Sequence, residues 1–113
     1  MESLTTIFQS ASYINAEAAF FAALEQLIAA MEKKQHHPKH LMCLYRMNDE
    51  WKTGEWQRMT ERERRNEIQG LGIFLTGQPH AIGDVFLCTP VENREDAVSF
   101  WRSFRALADC LGI

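Results

Sequence analysis

The chain has few residues that break helices and few that carry redox chemistry. Its 113 residues include 3 prolines, 6 glycines and 3 cysteines, at Cys43, Cys88 and Cys110. An odd number of cysteines does not complete a disulfide framework and favours reduced thiols. No basic region followed by an apolar run marks the N-terminus as a signal peptide. We therefore predict a cytoplasmic protein.

Long apolar runs and the motifs of common enzymes are also missing. No uninterrupted apolar stretch in the sequence approaches the ~18 residues that a membrane span needs, so we predict no membrane partner. The chain has no glycine-rich phosphate loop, no nucleophile elbow and no paired cysteine motif. We expect a non-enzymatic protein that needs no cofactor.

The composition is that of an ordinary globular protein. Hydrophobic residues make up 46% of the chain and charged residues 24%, which argues against disorder. A chain of 113 residues is long enough for one core but short for two. We predict a single domain over residues 1–113.

The C-terminal segment has the most distinct helical pattern. Asn93 is a typical N-cap, two acidic residues follow in the first turn, and Gly112 stands where a C′ glycine is common. At about 100° per residue, one arc collects Ala97, Phe100, Trp101, Phe104, Leu107, Ala108 and Leu111. We expect this aromatic face to lie in the core and the other helices to pack on it.

A second helix is predicted after Asn15, which would be its N-cap. Its apolar arc contains Phe20, Phe21, Leu24, Leu27, Ile28 and Met31. The opposite face is made of small residues, Ala18, Ala22 and Ala29. These alanines indicate either a homodimer seam or a plain exposed face that simply favours helix, and both interpretations are open.

The middle of the chain leaves the fold class with one alternative. Thr60 and Glu63 form a capping box that opens a helix, and Pro38 is placed to begin another. Segments 41–47 and 83–89 match helical and strand periods almost equally well. We predict a mainly α fold, a small domain of four to five helices. The alternative is an α+β fold with a short two-stranded sheet from these two segments.

Charge is distributed unevenly along the chain. Between Lys33 and Arg65 there are nine Lys and Arg and five Asp and Glu, whereas the remainder has three and ten. The excess of bases indicates a binding face or a surface that pairs with acids elsewhere in the fold. Aromatic and basic residues of this region form the predicted partner or ligand surface: Trp51, Trp56, Arg58, Arg62 and Arg65.

Three residues of the same region are candidates for a metal site. His40 and Cys43 would lie one turn apart on a helix, and His36 would fold over from before Pro38. Imidazole and thiolate ligands suit zinc. The spacing matches none of the recurrent zinc patterns, so we predict no metal.

These features favour a small non-enzymatic binding protein that acts through a macromolecular partner surface and self-associates. One alternative is a nucleic-acid-associated subunit, in which the basic face between Lys33 and Arg65 neutralises phosphates and tryptophans stack on bases. Another alternative is a small-molecule or metal-binding domain. The sequence does not identify the protein partner.

Overall fold

A computed structural model describes residues 10–33, 41–77, 85 and 89–113. These residues form α-helices and a 3₁₀ turn at Val91–Asn93, and no strand is found among them. The helices are α1 Ala11–Lys33, α2 Met42–Thr53, α3 Glu55–Arg58, α4 Glu61–Gly77 and α5 Arg94–Cys110. The prediction of a mainly α domain with four to five helices is confirmed.

Helix α1 begins earlier than predicted. The Ser10 hydroxyl accepts a hydrogen bond from the Tyr13 backbone amide (3.2 Å), which makes Ser10 the cap. Asn15 lies inside the helix, so its assignment as N-cap is wrong. A cap is set by where the chain enters the helix, and Ser10 satisfies the free amides of the first turn equally well.

Helix α2 resolves the ambiguity of segment 41–47, because Met42–Thr53 is helical. It ends at Gly54, whose φ of 82° is a left-handed conformation that favours glycine. The short α3 then leads into the predicted capping box. The Thr60 amide donates to Glu63 (2.9 Å), and the Glu63 amide donates to the Thr60 hydroxyl (3.2 Å). Most of segment 83–89 lies outside the described residues.

Helix α5 follows its predicted bounds closely. Asn93 occupies the N-cap position, but its side chain donates to Asp96 (3.0 Å) instead of capping the helix. At the other end Gly112 has a φ of 71°. The Gly112 amide donates to the Asp109 carbonyl (3.1 Å), and the Ile113 amide to that of Ala108 (3.0 Å), which is the Schellman pattern.

The four long helices form an up-and-down bundle. Helices α2 and α4 are joined by the short α3 and meet at an Arg46–Glu67 ion pair of 3.1 Å, so they are antiparallel. Helices α4 and α5 are antiparallel, because Arg65 contacts Leu111 and Gly72 lies beside Phe104. Helices α1 and α5 are also antiparallel, because the Phe20 ring lies 5.8 Å from the Phe100 ring and Ser12 contacts Cys110.

The core confirms the expected role of the C-terminal helix. Six of the seven residues of the predicted aromatic face are buried, and Trp101 is half-buried. Phe20 of α1 packs against Phe100 and Phe104 of α5, with ring centroids 5.8 and 6.4 Å apart. Buried apolar residues from all four long helices belong to one cluster, so the described helices form one compact helical domain.

The length and composition of helix α1 also match those of a membrane span. With 23 residues and an apolar composition, it is long and apolar enough to cross a membrane. Half of its most apolar window is buried inside the bundle. The core helix of a soluble protein has the same length and composition, so this property is weak evidence for a membrane span.

Candidate functional site

A cleft opens between α2 and α4 near the N-terminal end of α2. Its volume is about 310 Å³. Both helices contribute to its lining, which comprises Cys43, Arg46, Met47, Glu67, Gly70, Leu71 and Phe74. We call this concavity the α2–α4 cleft. The Arg46–Glu67 ion pair (3.1 Å) bridges its walls.

The cleft is open because α4 lacks a side chain where it faces α2. A Cβ added at Gly70 would meet nothing within 4 Å. Glycine in a helix interior costs ~1 kcal/mol relative to alanine, and no close approach or special backbone conformation requires one here. Two large apolar side chains next in sequence to cleft-lining residues are exposed: Met42, before Cys43, is 49% exposed, and Ile73, before Phe74, is 66% exposed. Exposed apolar side chains beside a concavity are typical of a binding surface.

The Cys43 thiol of the cleft is not activated as a nucleophile. Burial raises the pKa of the Cys43 thiol, although the nearby Arg46 guanidinium acts in the opposite direction. The thiol therefore stays protonated at neutral pH, and the thiolate is the reactive form. Within the described residues, no histidine lines the cleft. This arrangement suits binding.

A second, shallower concavity runs along the outer face of α2. It is about 680 Å³ and shares Cys43 and Arg46 with the cleft. Its other lining residues are Met42, Tyr45, Asp49, Glu50, Thr53 and Glu55. We call it the acidic groove.

Glu50 is the unusual residue of the acidic groove. It is only 8% exposed, and its Oε1 has no hydrogen-bond partner among the described residues. Burial raises the pKa of Glu50, the Glu67 carboxylate raises it further, and Arg46 acts in the opposite direction. A buried carboxylate oxygen without a partner is costly, and no described residue donates a hydrogen bond to Oε1 of Glu50.

The predicted partner surface is divided by the structure. Trp56 is 0% exposed and belongs to the core, so it cannot contribute to a surface. Trp51 is half-buried and stacks on Phe21, with ring centroids 4.4 Å apart and planes at 8°. Of the arginines, Arg58 and Arg62 are exposed.

The last arginine of that surface, Arg65, donates to the backbone carbonyl of Leu111 at the C-terminal end of α5. A cation at this helix end is favoured by the helix dipole. Arg58 and Arg62 remain exposed on the predicted surface, and Lys33, at the start of the basic region, is exposed as well.

A buried polar cluster explains why Trp56 is in the core. The Trp56 indole donates to the Glu17 carboxylate (2.9 Å), and the Tyr13 hydroxyl donates to the same oxygen. Arg64 lies 3.5 Å from this oxygen and its guanidinium carbon is 6.0 Å from the Trp56 ring centroid. Burial, followed by the hydrogen bond to Glu17, raises the pKa of Tyr13. One sequence signal pointed here, namely the position of Glu17 beside the apolar arc of α1.

The uneven charge of the sequence is partly neutralised inside the fold. Three ion pairs occur in the described part of the chain: Arg46–Glu67, Lys52–Glu25 and Arg64–Glu17. In each pair the base comes from the stretch between Lys33 and Arg65, and the acid comes from outside it. The excess of bases therefore pairs with the excess of acids elsewhere, as one interpretation of the sequence required.

The alanines of the predicted dimer seam all lie on the outside. Ala18, Ala22 and Ala29 are exposed. Between Ala11 and Leu24 the only charged residue is Glu17, and it is buried. The outward face of this half of α1 therefore carries no charge.

Of the three metal candidates, Cys43 alone lies within the described residues. Cys43 lines the α2–α4 cleft, whereas His36 and His40 lie outside the described residues. Within the described ranges, no group of three or more His, Cys, Asp or Glu side chains is arranged to hold a metal ion.

Comparison with known proteins adds no further information about the site. No protein-family model, no curated protein and no solved structure matches this chain.

Proposed function

We propose that this chain is a small non-enzymatic interaction protein that presents the α2–α4 cleft to a protein partner. The observation that carries the proposal is the cleft of about 310 Å³ that Gly70 leaves open between two helices. This volume is at the lower end of the range for small-molecule sites. It suits one large apolar side chain of a partner better than a whole cofactor.

The surroundings of the cleft favour a partner segment that lies along the helices. Met42 on α2 and Ile73 on α4, each next in sequence to a cleft-lining residue, are exposed. A helical segment in a groove between two helices uses a few apolar anchors spaced by one or two turns. The partner would insert one anchor beside Gly70 and rest others on the exposed apolar side chains.

A selection experiment tests this proposal. A library of 16-residue helix-favouring peptides is displayed on phage and selected against the full chain. We expect enriched peptides that lose at least tenfold in affinity when Gly70→Trp fills the cleft. Because no neighbour lies within 4 Å of a Cβ at Gly70, this variant should fold. Its melting temperature and circular dichroism verify that.

The matched control is Gln69→Trp. Gln69 is the exposed neighbour of Gly70 on α4 and is not part of the cleft lining. Peptides that respond to the cleft should bind this variant as they bind the wild type. If every enriched peptide binds the folded Gly70→Trp variant with undiminished affinity, the cleft is not the partner site.

Self-association through α1 is a second candidate, supported by its uncharged outward face. Exposed helix faces without charge are typical of contacts between helices of different subunits. We expect a dimer by sedimentation equilibrium that Ala22→Glu converts to a monomer. The matched control is Ala106→Glu, an exposed position on α5. A wild-type chain that stays monomeric at high concentration would reject this candidate.

A further inference from the structure

The acidic groove contains carboxylates that form no ion pair within the described residues. Asp49, Glu50 and Glu55 line it, and none of them is in the ion pairs of the described residues. Two bases close to them along α2 are engaged elsewhere: Lys52 pairs with Glu25 at 3.2 Å, and Arg46 with Glu67 at 3.1 Å. The groove therefore has an excess of negative charge.

Glu50 is an independent indication of a ligand. It is 8% exposed and its Oε1 lacks a hydrogen-bond partner among the described residues, although it lines a concavity. A buried, unpartnered carboxylate is stabilised when a cation reaches it, because hydrogen bonds to an ionised group are stronger than ordinary ones. Burial is also the main cause of the raised pKa of Glu50, although Arg46 acts in the opposite direction.

An organic cation fits these carboxylates better than a metal ion. Divalent metals need several oxygen ligands at 2.0–2.6 Å around one point, and no such group of acids is found in the described part of the chain. A Lys ammonium or an Arg guanidinium needs only one or two carboxylates, and charge-assisted hydrogen bonds then satisfy both partners.

We infer that the partner segment is basic and amphipathic, and that it places a Lys or Arg side chain against Glu50 while an apolar anchor enters the α2–α4 cleft. This inference rests on the proposed function, because both concavities share Cys43 and Arg46. Glu50 lies seven residues after Cys43 on α2, about 10 Å along the helix axis. A helical partner would therefore carry its base about two turns from its anchor.

The peptides selected for the proposed function provide the test. We expect most cleft-dependent sequences to contain Lys or Arg about seven residues from a large apolar residue. By isothermal titration calorimetry, Glu50→Gln should weaken binding of such a peptide about tenfold. Replacing the peptide's base with glutamine should weaken binding to the wild type similarly and cause little further loss in the Glu50→Gln variant. Non-additive losses of this kind identify a direct pair.

The control is Glu92→Gln, which makes the same charge change at an exposed site in the 3₁₀ turn. It should leave affinity unchanged. If cleft-dependent peptides lack bases, or bind Glu50→Gln and the wild type equally, this inference is overturned and the proposed function stands. If no peptide depends on the cleft, both are overturned. Glutamine has nearly the shape of glutamate and removes a buried charge, so the variant should fold.

Discussion

The Glu17 carboxylate of α1 lies 3.5 Å from the Arg64 guanidinium of α4. The two side chains are only 12% and 17% exposed. Arg64 also donates to the Gln57 carbonyl (3.0 Å), and Glu17 accepts from Trp56 (2.9 Å). One carboxylate thus connects α1 to α3 and α4. Nothing in the sequences of α3 and α4 indicates that Glu17 is the acid their side chains contact.

Removing the Glu17 charge should destabilise the fold. Glu17→Gln leaves the Arg64 guanidinium mostly buried without its counter-ion. Breaking a buried pair from one side costs ~3–5 kcal/mol when burial is complete. Because Arg64 retains some exposure and a carbonyl partner, we expect about 2–3 kcal/mol. Urea denaturation measures the difference in the free energy of unfolding.

Glu25→Gln is the matched control for that variant. Glu25 lies two turns further along α1 and pairs with Lys52 at 3.2 Å, with side chains 58% and 53% exposed. Exposed pairs contribute ~0.2–1 kcal/mol, so this change should be nearly neutral. Equal losses in the two variants would contradict the assignment of Glu17 as a structural centre.

Two glycines of α4 should respond differently to alanine. A Cβ at Gly70 would meet nothing within 4 Å, so Gly70→Ala should stabilise the protein by ~0.5–1 kcal/mol. A Cβ at Gly72 would lie 3.2 Å from the Phe104 ring, so the same substitution should gain less or lose stability. Thermal unfolding of both variants compares them. A larger gain at Gly72 would contradict the close packing of α4 against α5.

The contribution of the capping box to the free energy of unfolding should depend on pH. Thr60→Ala removes the hydroxyl that accepts from the Glu63 amide, at a cost of ~1 kcal/mol. Hydrogen bonds with Thr60 lower the pKa of Glu63. The ionised carboxylate is therefore favoured in the folded state, and its contribution is lost as the pH falls through the lowered pKa.

The deficit of Thr60→Ala, which is its loss in free energy of unfolding relative to the wild type, should consequently be larger at pH 7 than at pH 3. Urea denaturation at both pH values measures it. Thr60→Ser keeps the hydroxyl and should remain close to the wild type at either pH. A deficit that grows as the pH falls would show that Glu63 is not the reciprocal partner.

Glu50 should have the opposite pH dependence. Its pKa is raised, mainly by burial, so the folded state holds the proton more tightly than the unfolded state. Stability therefore declines as the pH rises from the ordinary pKa through the raised one. Glu50→Gln should be more stable than the wild type at pH 7, by a fraction of a kcal/mol, and the difference should disappear in acid.

Urea midpoints at pH 4 and pH 7 test this expectation, with the exposed Glu55→Gln as the control. If the wild type instead gained stability relative to Glu50→Gln as the pH rose, the carboxylate would have a compensating partner. The inference of an incoming cation would then lose its physical basis.

The sequence alone determined the features that depend on local spacing. The aromatic face of α5, the apolar arc of α1 and the Thr60–Glu63 capping box were all predicted and are all present. Helical period and capping act over three or four residues, so one helix contains all the information they need. The cap at Asn15 failed because Ser10, five residues earlier, is an equally good cap.

Only the tertiary structure decided which side chains meet. Trp56 was assigned to a surface, but Glu17, 39 residues away, accepts its indole hydrogen bond and holds it in the core. The α2–α4 cleft was not predicted either, because a concavity exists only once two helices are adjacent. Pairing of distant charges and the space between helices depend on packing angles and register, which no local pattern in the chain encodes.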